Sequence, residues 1–282
     1  MENKKVNNKI KRFKQNLIEE EKSKATIEKY VRDVRRFYNF IGNDDICKER
    51  VIDYKNNLII KYKATSVNSM LVSLNLYLLY IKKPECRVKL MKVQRKVFGN
   101  EDIELTKDDY KRLLNVALRK NIKTYLILQT ICSTGMRVSE LRYVTVESLE
   151  KNRVTILNKG KVREILIPST LSIVLTRFIL KNKIESGPIF ISKKGIPLNR
   201  CNIWKMMKSL CDEAKVSKAK VFPHNLRHLF ALTYYLIEKD LVHLADILGH
   251  SNIETTRIYT TTSKHDYEDI FIKMGLVDVD LR

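Results

Sequence analysis

The chain is short of the features that mark an exported or membrane-bound protein. Five cysteines occur in 282 residues (Cys47, Cys86, Cys132, Cys201 and Cys211), an odd number with no C-x-x-C spacing. That argues against a disulfide framework and a zinc ribbon, and it suits a reducing cytosol. The longest near-apolar run, Leu71 to Ile81, is too short to span a bilayer and is interrupted by Ser73 and Asn75. The amino-terminal MENKKVNNKIKRFKQ is basic but has no apolar h-region, so it is not a secretory signal. Internal repeats, low-complexity tracts and an acidic metal-binding cluster are missing as well. The expectation is a cytoplasmic protein with no membrane contact, no metal and no cofactor. The deepest shortage is of negative charge. Asp plus Glu number 32 against 54 Lys plus Arg, giving +22 and a pI near 9.7. An excess that large repels itself unless something anionic neutralises it, and nucleic acid is the first candidate.

Against those absences stand 44% hydrophobic and 30% charged residues, enough for a packed core in one large or two ordinary domains. Apolar residues recur at helical spacing from Val6 to Ile18. A second helix, capped by Thr26, runs to Ile41 and is stopped by Gly42. A third covers Cys47 to Ile60. A fourth, capped by Thr65 and closed by Pro84, turns Val67, Met70, Leu71, Leu74 and Leu78 inward. The reading is therefore an all-α unit over residues 1–82, a basic linker over 83–104 and a second domain over 105–282.

That second domain opens on LTKDDYKRLL, where Thr106 and Asp109 have the spacing of a capping box. A helix from Ile122 to Cys132 leads to TGMRVSEL. Arg153–Leu157 and Val162–Ile167 alternate about an NKGK turn, which predicts a β-hairpin, and Pro188 to Phe190 could add a short strand. Further helices are expected over Ile203–Ala214, Leu226–Glu238, Val242–Leu248 and Asp266–Met274. The fold class is mainly α with a small antiparallel sheet.

The chemistry gathers between Val221 and Tyr259. His224 and Arg227, three apart at a helix start, share one face near its positive end, a geometry that suits an anion. Taken alone, H-x-x-R is a weak signal, and a capping His with a surface Arg is the better reading. His250 sits after Gly249 at a break between helices, where a loop histidine is the plain alternative. Tyr259 follows nine residues later, a core-edge packer or a nucleophile. Its phenol, with a pKa of about 10, needs strong positive charge nearby to react as phenolate. Arg137 follows Gly135 at a turn, with Glu140 placed to brace it. Lys159 lies at the hairpin tip, with Lys161 close by.

Together these motifs resemble those of the tyrosine site-specific recombinases of the phage integrase family, the Xer-like and small mobile-element members above all. TGMRVSEL resembles the first-arginine motif, NKGKVREILIP the catalytic-lysine hairpin, HNLRH the His-x-x-Arg box and LGHSNIETTRIYT the His-to-Tyr segment. SKATIEKYVRDVRRF and ATSVNSMLVSL resemble helices of the core-binding domain. Asn158 departs from the Gly often found before the hairpin lysine, which leaves Lys159 and Lys161 both open as general acid.

The resemblance implies a C-shaped clamp on DNA and a cut through a 3′-phosphotyrosyl link. In that scheme Tyr259 is the nucleophile, Arg137 and Arg227 hold the phosphate, and Lys159 protonates the leaving oxygen. His224 moves the tyrosine proton, His250 donates to the phosphate, and Glu140 stands behind Arg137. It implies double-stranded DNA with core sites, inverted-repeat half-sites, four protomers on two sites and room for an accessory directionality factor. The stretch before Val6 leaves no space for an arm-binding domain, so core sites alone are expected. The last helix could dock in trans on a neighbour or in cis. Lys24, Arg32, Arg35, Asn68 and Lys96 are the candidates for contact with DNA. A topoisomerase IB-like relaxing enzyme and a non-catalytic DNA-binding regulator are the alternatives.

Overall fold

The computed structural model describes residues 2–42, 44–92, 103–158, 161–250 and 252–257. It divides into two compact units, Met1–Arg95 and Lys96–Arg282. The first unit is four helices: α1 (Glu2–Glu19), α2 (Lys24–Ile41), α3 (Lys48–Lys61) and α4 (Ala64–Tyr80). Each buries one stripe. Ile10, Phe13 and Leu17 of α1 meet Val34 and Phe37 of α2, Tyr54 and Leu58 of α3, and Leu71, Leu74 and Leu78 of α4 in one core. Phe37 and Tyr54 pack edge to face with centroids 5.2 Å apart.

Two caps differ from the expectation. Helix α2 starts earlier, at Lys24, because Ser23 is the cap and its hydroxyl accepts from the Thr26 N–H at 3.3 Å. Helix α4 starts at Ala64 after Lys63 with no side-chain cap, and Thr65 is already inside it. Pro84 opens a separate 3-10 turn, Pro84–Cys86, instead of ending α4. The stretch read as linker begins packed on this unit. Cys86 and Val88 are buried in its core, and the Asn75 and Asn68 side chains bond the backbone of Val88 and Met91. Residues 93–102 of that stretch lie outside the described residues.

The second unit opens on α5 (Lys107–Lys120), whose capping box forms in both directions between Thr106 and Asp109. Helix α6 (Ile122–Thr134) is apolar on most sides, as befits a central helix. It is packed by α5, α8 (Ser169–Asn182), α9 (Arg200–Lys208) and α11 (Pro223–Glu238). After it come a 3-10 turn, Val138–Tyr143, and the short α7 (Val146–Glu150). The hairpin follows as β1 (Arg153–Asn158) and β2 (Lys161–Leu166), antiparallel with Leu157 opposite Val162 and Asn158 opposite Lys161.

Among the described residues this two-stranded ribbon is the whole sheet. Pro188–Phe190 makes only an isolated bridge, with the Ile189 N–H on the Val144 carbonyl at 3.0 Å. The helix expected over Ile203–Ala214 is broken into α9 and α10 (Cys211–Ala214). Helix α11 begins at Pro223, three residues before the periodicity suggests, since Pro at a first-turn position lacks only an N–H that has no helical partner. Helix α12 (Leu241–Leu248) is capped by Asp240 and ended by Gly249 at φ +61°. The expected helix Asp266–Met274 lies outside the described residues. Among those described, no helix is long and apolar enough to cross a membrane.

Candidate active site

The central helix α6 ends on Gly135 in the left-handed region, at φ +64°. A Cβ there would sit 2.5 Å from the Phe230 ring of α11, so this close approach of turn to helix requires glycine. The turn buries Met136 and presents Arg137. Glu140, three residues on and buried, accepts from the Arg137 backbone N–H at 2.6 Å and from Arg137 Nη1 at 3.0 Å. The Arg137 side chain stays 42% exposed, with Nη2 3.4 Å from the Gly249 carbonyl.

Arg227 reaches the same place from the first turns of α11 and is 2% exposed. It donates to the Gly135 carbonyl at 2.5 Å and to the Leu248 carbonyl at 2.7 Å, and its Nη2 lies 3.0 Å from His250 Nε2. A guanidinium can only donate, so His250 Nε2 is the acceptor there. The other ring nitrogen, Nδ1, then carries the proton and donates to Thr256 Oγ1 at 2.9 Å. Arg137, Glu140, Arg227 and His250 thus come together from three separate segments of the chain.

The profile of the phage integrase family matches residues 104–266, more than half of the chain, and that of its N-terminal SAM-like domain matches residues 10–83. The chain belongs to the phage integrase family. It is accordingly an enzyme of site-specific DNA recombination, with DNA as its partner.

Among relatives, it is 26% identical to the tyrosine recombinase XerD of Halalkalibacterium halodurans, over 94% of this chain and 97% of that one. It is 34% identical to the tyrosine recombinase XerH of Campylobacter jejuni, over 58% of this chain and 51% of that one. Two solved structures share the fold. A lambda integrase dimer bound to a core site matches with TM-score 0.72 and 16% identity, over 90% of this chain and 94% of that one. XerH bound to its difH substrate matches with TM-score 0.67 and 19% identity, over 87% and 78%.

Three histidines of the second unit have lowered pKa values. Burial, then Arg227, Arg137, Arg163 and His224, push the His250 pKa down to about 4. His224 keeps an exposed edge, yet desolvation by its surroundings, then Arg227, Arg137 and Arg200, lower its pKa too. Its neighbour His228, half-buried and 3.9 Å from Glu104, falls to about 4 through desolvation and then His224. A neutral His224 can accept a proton. His250 in this arrangement orients Arg227, and the donor role expected for it needs its Nε2 released and protonated.

Tyr259, Lys159 and Lys96 lie outside the described residues, and the Lys161 side chain is not described. Of the remaining candidates for DNA contact, Lys24, Arg32 and Arg35 are exposed on α2. Asn68 is half-buried; its amide donates to the Met91 carbonyl at 2.9 Å and accepts from the Met91 N–H at 2.8 Å, so it clamps the chain. The sequence reading also missed Arg163, a buried cation beside Glu140. The signal was available, since Arg163 shares strand parity with the buried Ile165 and Ile167, and a cation on an apolar face demands partners.

Proposed function

We propose that this chain cuts and rejoins duplex DNA through Tyr259 as nucleophile. The tyrosine oxygen attacks a backbone phosphorus, the bond to the 5′-oxygen breaks, and a 3′-phosphotyrosyl link remains. The phenolic proton passes to His224, and Lys159, or Lys161 beside it, gives a proton to the leaving 5′-oxygen. Arg137 and Arg227 hold the non-bridging oxygens, where charge builds in the transition state. His250 turns from Arg227 to the phosphate, whose negative charge raises its pKa. The covalent link conserves the energy of the broken ester, so no ATP is needed.

The observation that carries this reading is the meeting of Arg137 and Arg227 beside Glu140 and the Leu248–His250 turn, a preorganised pair of guanidiniums. The exposed cations of α2 support a basic surface for phosphates. Four copies on two core sites, each built of inverted-repeat half-sites, complete the exchange in the cytoplasm, with an accessory factor setting direction. The use is integration and excision, or inversion, of a DNA segment.

A suicide duplex with a nick near the scissile phosphate tests it. Denaturing gels should show a covalent adduct that Tyr259→Phe abolishes. Retarded native complexes without any adduct would make the chain a regulator. Relaxation of plasmids lacking specific sites would make it topoisomerase-like.

A further inference from the structure

Strand β2 carries a cation for which the proposed chemistry has no role. Arg163 points to the inner side of the hairpin and its side chain is 13% exposed. Its Nη1 donates to the Leu248 carbonyl at 2.5 Å and stands 3.6 Å from Glu140 Oε1. Both acceptors are shared. The Leu248 carbonyl also accepts from Arg227 Nη2, and Glu140 Oε1 also accepts from Arg137 Nη1. One guanidinium therefore touches the support of each arginine assigned to the phosphate.

The surroundings are shaped for it. Gly249 lies against the Arg163 stem, and a Cβ at that position would fall 2.4 Å from Arg163 Cδ. Burial lowers the Arg163 pKa, Glu140 raises it and Arg137 lowers it again, yet an arginine so placed stays charged. Its Nε and Nη2 are buried and, among the described residues, have no hydrogen-bond partner. For stability alone this is a poor arrangement, since an apolar residue of similar volume would avoid the unpaired edge.

An acceptor divided between two donors holds each less tightly than it would hold one. With Arg163 in place, the Leu248 carbonyl and the Glu140 carboxylate steady Arg227 and Arg137 without absorbing them. We infer that Arg163 is a positioning residue that sets the aim of Arg137 and Arg227 on the scissile phosphate, acting through the Leu248 carbonyl and the Glu140 carboxylate. The inference rests on the assignment of those two arginines to the phosphate.

Two variants test it. Arg163→Lys keeps the charge but loses the planar fork. Gly249→Ala presses on the Arg163 stem and leaves every guanidinium in the chain. Single-turnover adduct formation at saturating DNA is measured on three suicide duplexes. One has an ordinary scissile phosphate. The second has a methylphosphonate there, which lacks one anionic non-bridging oxygen. The third has a 5′-bridging sulfur, which leaves as thiolate without needing a proton.

On the ordinary phosphate both variants should slow adduct formation about 10–100-fold, the usual cost of losing a residue that orients a catalytic group. On the methylphosphonate that deficit should largely disappear, and on the sulfur substrate it should persist. An equal deficit on all three substrates would mean a purely structural role and overturns the inference. So does a deficit relieved only by sulfur, which would assign Arg163 to the proton donor of its own hairpin, or no deficit at all.

Arg137→Ala and Tyr259→Phe run alongside. Arg137→Ala should show the same methylphosphonate relief, and Tyr259→Phe should give no adduct on any substrate. If these two controls misbehave, the site assignment is at fault. If they hold and the Arg163 variant does not, only the present inference fails. Thermal melting of each variant checks that it is folded at the assay temperature.

Discussion

Two buried polar clusters, one in each unit, are put together on opposite plans. In the first unit Lys29 Nζ donates to Asp33 at 2.7 Å, to the Ser69 carbonyl at 2.8 Å and to Ser73 at 2.9 Å. Ser73 in turn donates to Asp33 at 2.9 Å, and Asp33 is buried. Each donor there meets an acceptor of the same cluster, so the network is closed. In the second unit Glu140 and the Leu248 carbonyl gather three guanidiniums, and the donors outnumber the acceptors. Arg137 keeps an exposed side, and Arg163 keeps an unpartnered edge. A closed network can only hold the fold together. An open one has donors left for an anion that arrives, and for a recombinase that anion is DNA phosphate.

The sharpest way to break this contrast uses the two phosphate arginines, which differ in burial while sharing a task. Arg137→Ala and Arg227→Ala should each slow adduct formation on the order of 10²–10³-fold, as for loss of one preorganised donor to a developing oxyanion. Stability should separate them. Removing the buried Arg227 strips its hydrogen bonds from the Gly135 and Leu248 carbonyls and should cost about 3 kcal/mol in urea unfolding. Removing Arg137 leaves Glu140 with a backbone N–H and Arg163 nearby and should cost only about 1 kcal/mol. Equal unfolding midpoints would erase the distinction between an aimed and a buried guanidinium.

The closed cluster should behave in reverse. Asp33→Ala leaves Lys29 without its carboxylate and should destabilise by about 3 kcal/mol. Adduct formation per folded molecule at saturating DNA should be unchanged, and a kinetic loss there would show that this cluster also serves the chemistry.

A smaller effect comes from protons at the open cluster. His228 and His250 have folded pKa values of about 4, against about 6.5 unfolded. Between those values the unfolded chain binds more protons, so stability rises with pH and is lost as pH falls from about 6.5 towards about 4. The half-buried His228 alone should make the protein about 2 kcal/mol less stable at pH 5 than at pH 7. The partly exposed His250 adds a smaller amount, which solvent screening reduces. Guanidine midpoints at the two pH values check the slope, and a flat profile would place these histidines in water.

What the sequence revealed follows from the range of the interactions concerned. Local signals were legible: the Thr106–Asp109 box, the Gly42 and Gly249 stops and the alternation of the hairpin each depend on residues within a few positions. Helix α8 was missed: Leu171, Leu175, Phe178 and Ile179 fall at helical spacing, but the β-branched Thr170, Ile173, Val174 and Thr176 among them favour a strand. The pairing of Glu140 with Arg137 could be read at three-residue spacing. Strand parity could have flagged Arg163 as a buried cation, but not its partners, which lie 23 and 85 residues away along the chain. The two bonds of Asn68 were hidden for the same reason, its partner Met91 lying well along the chain.

The same asparagine supplies the mildest test, which opposes a clamp to phosphate contacts within one unit. Asn68→Ala removes two hydrogen bonds to Met91 and should lower stability by about 1 kcal/mol. The salt dependence of DNA binding should be left as it was. Arg35→Ala, on the exposed side of α2, should leave stability within about 0.5 kcal/mol. It should reduce the slope of log affinity against log salt by about 1, the release of one counterion. The two variants are compared by filter binding across a salt series on the same duplex. If Asn68→Ala changed the slope as much as Arg35→Ala, the amide would be reaching the DNA despite its two backbone bonds, and the closed half of the comparison would have an opening.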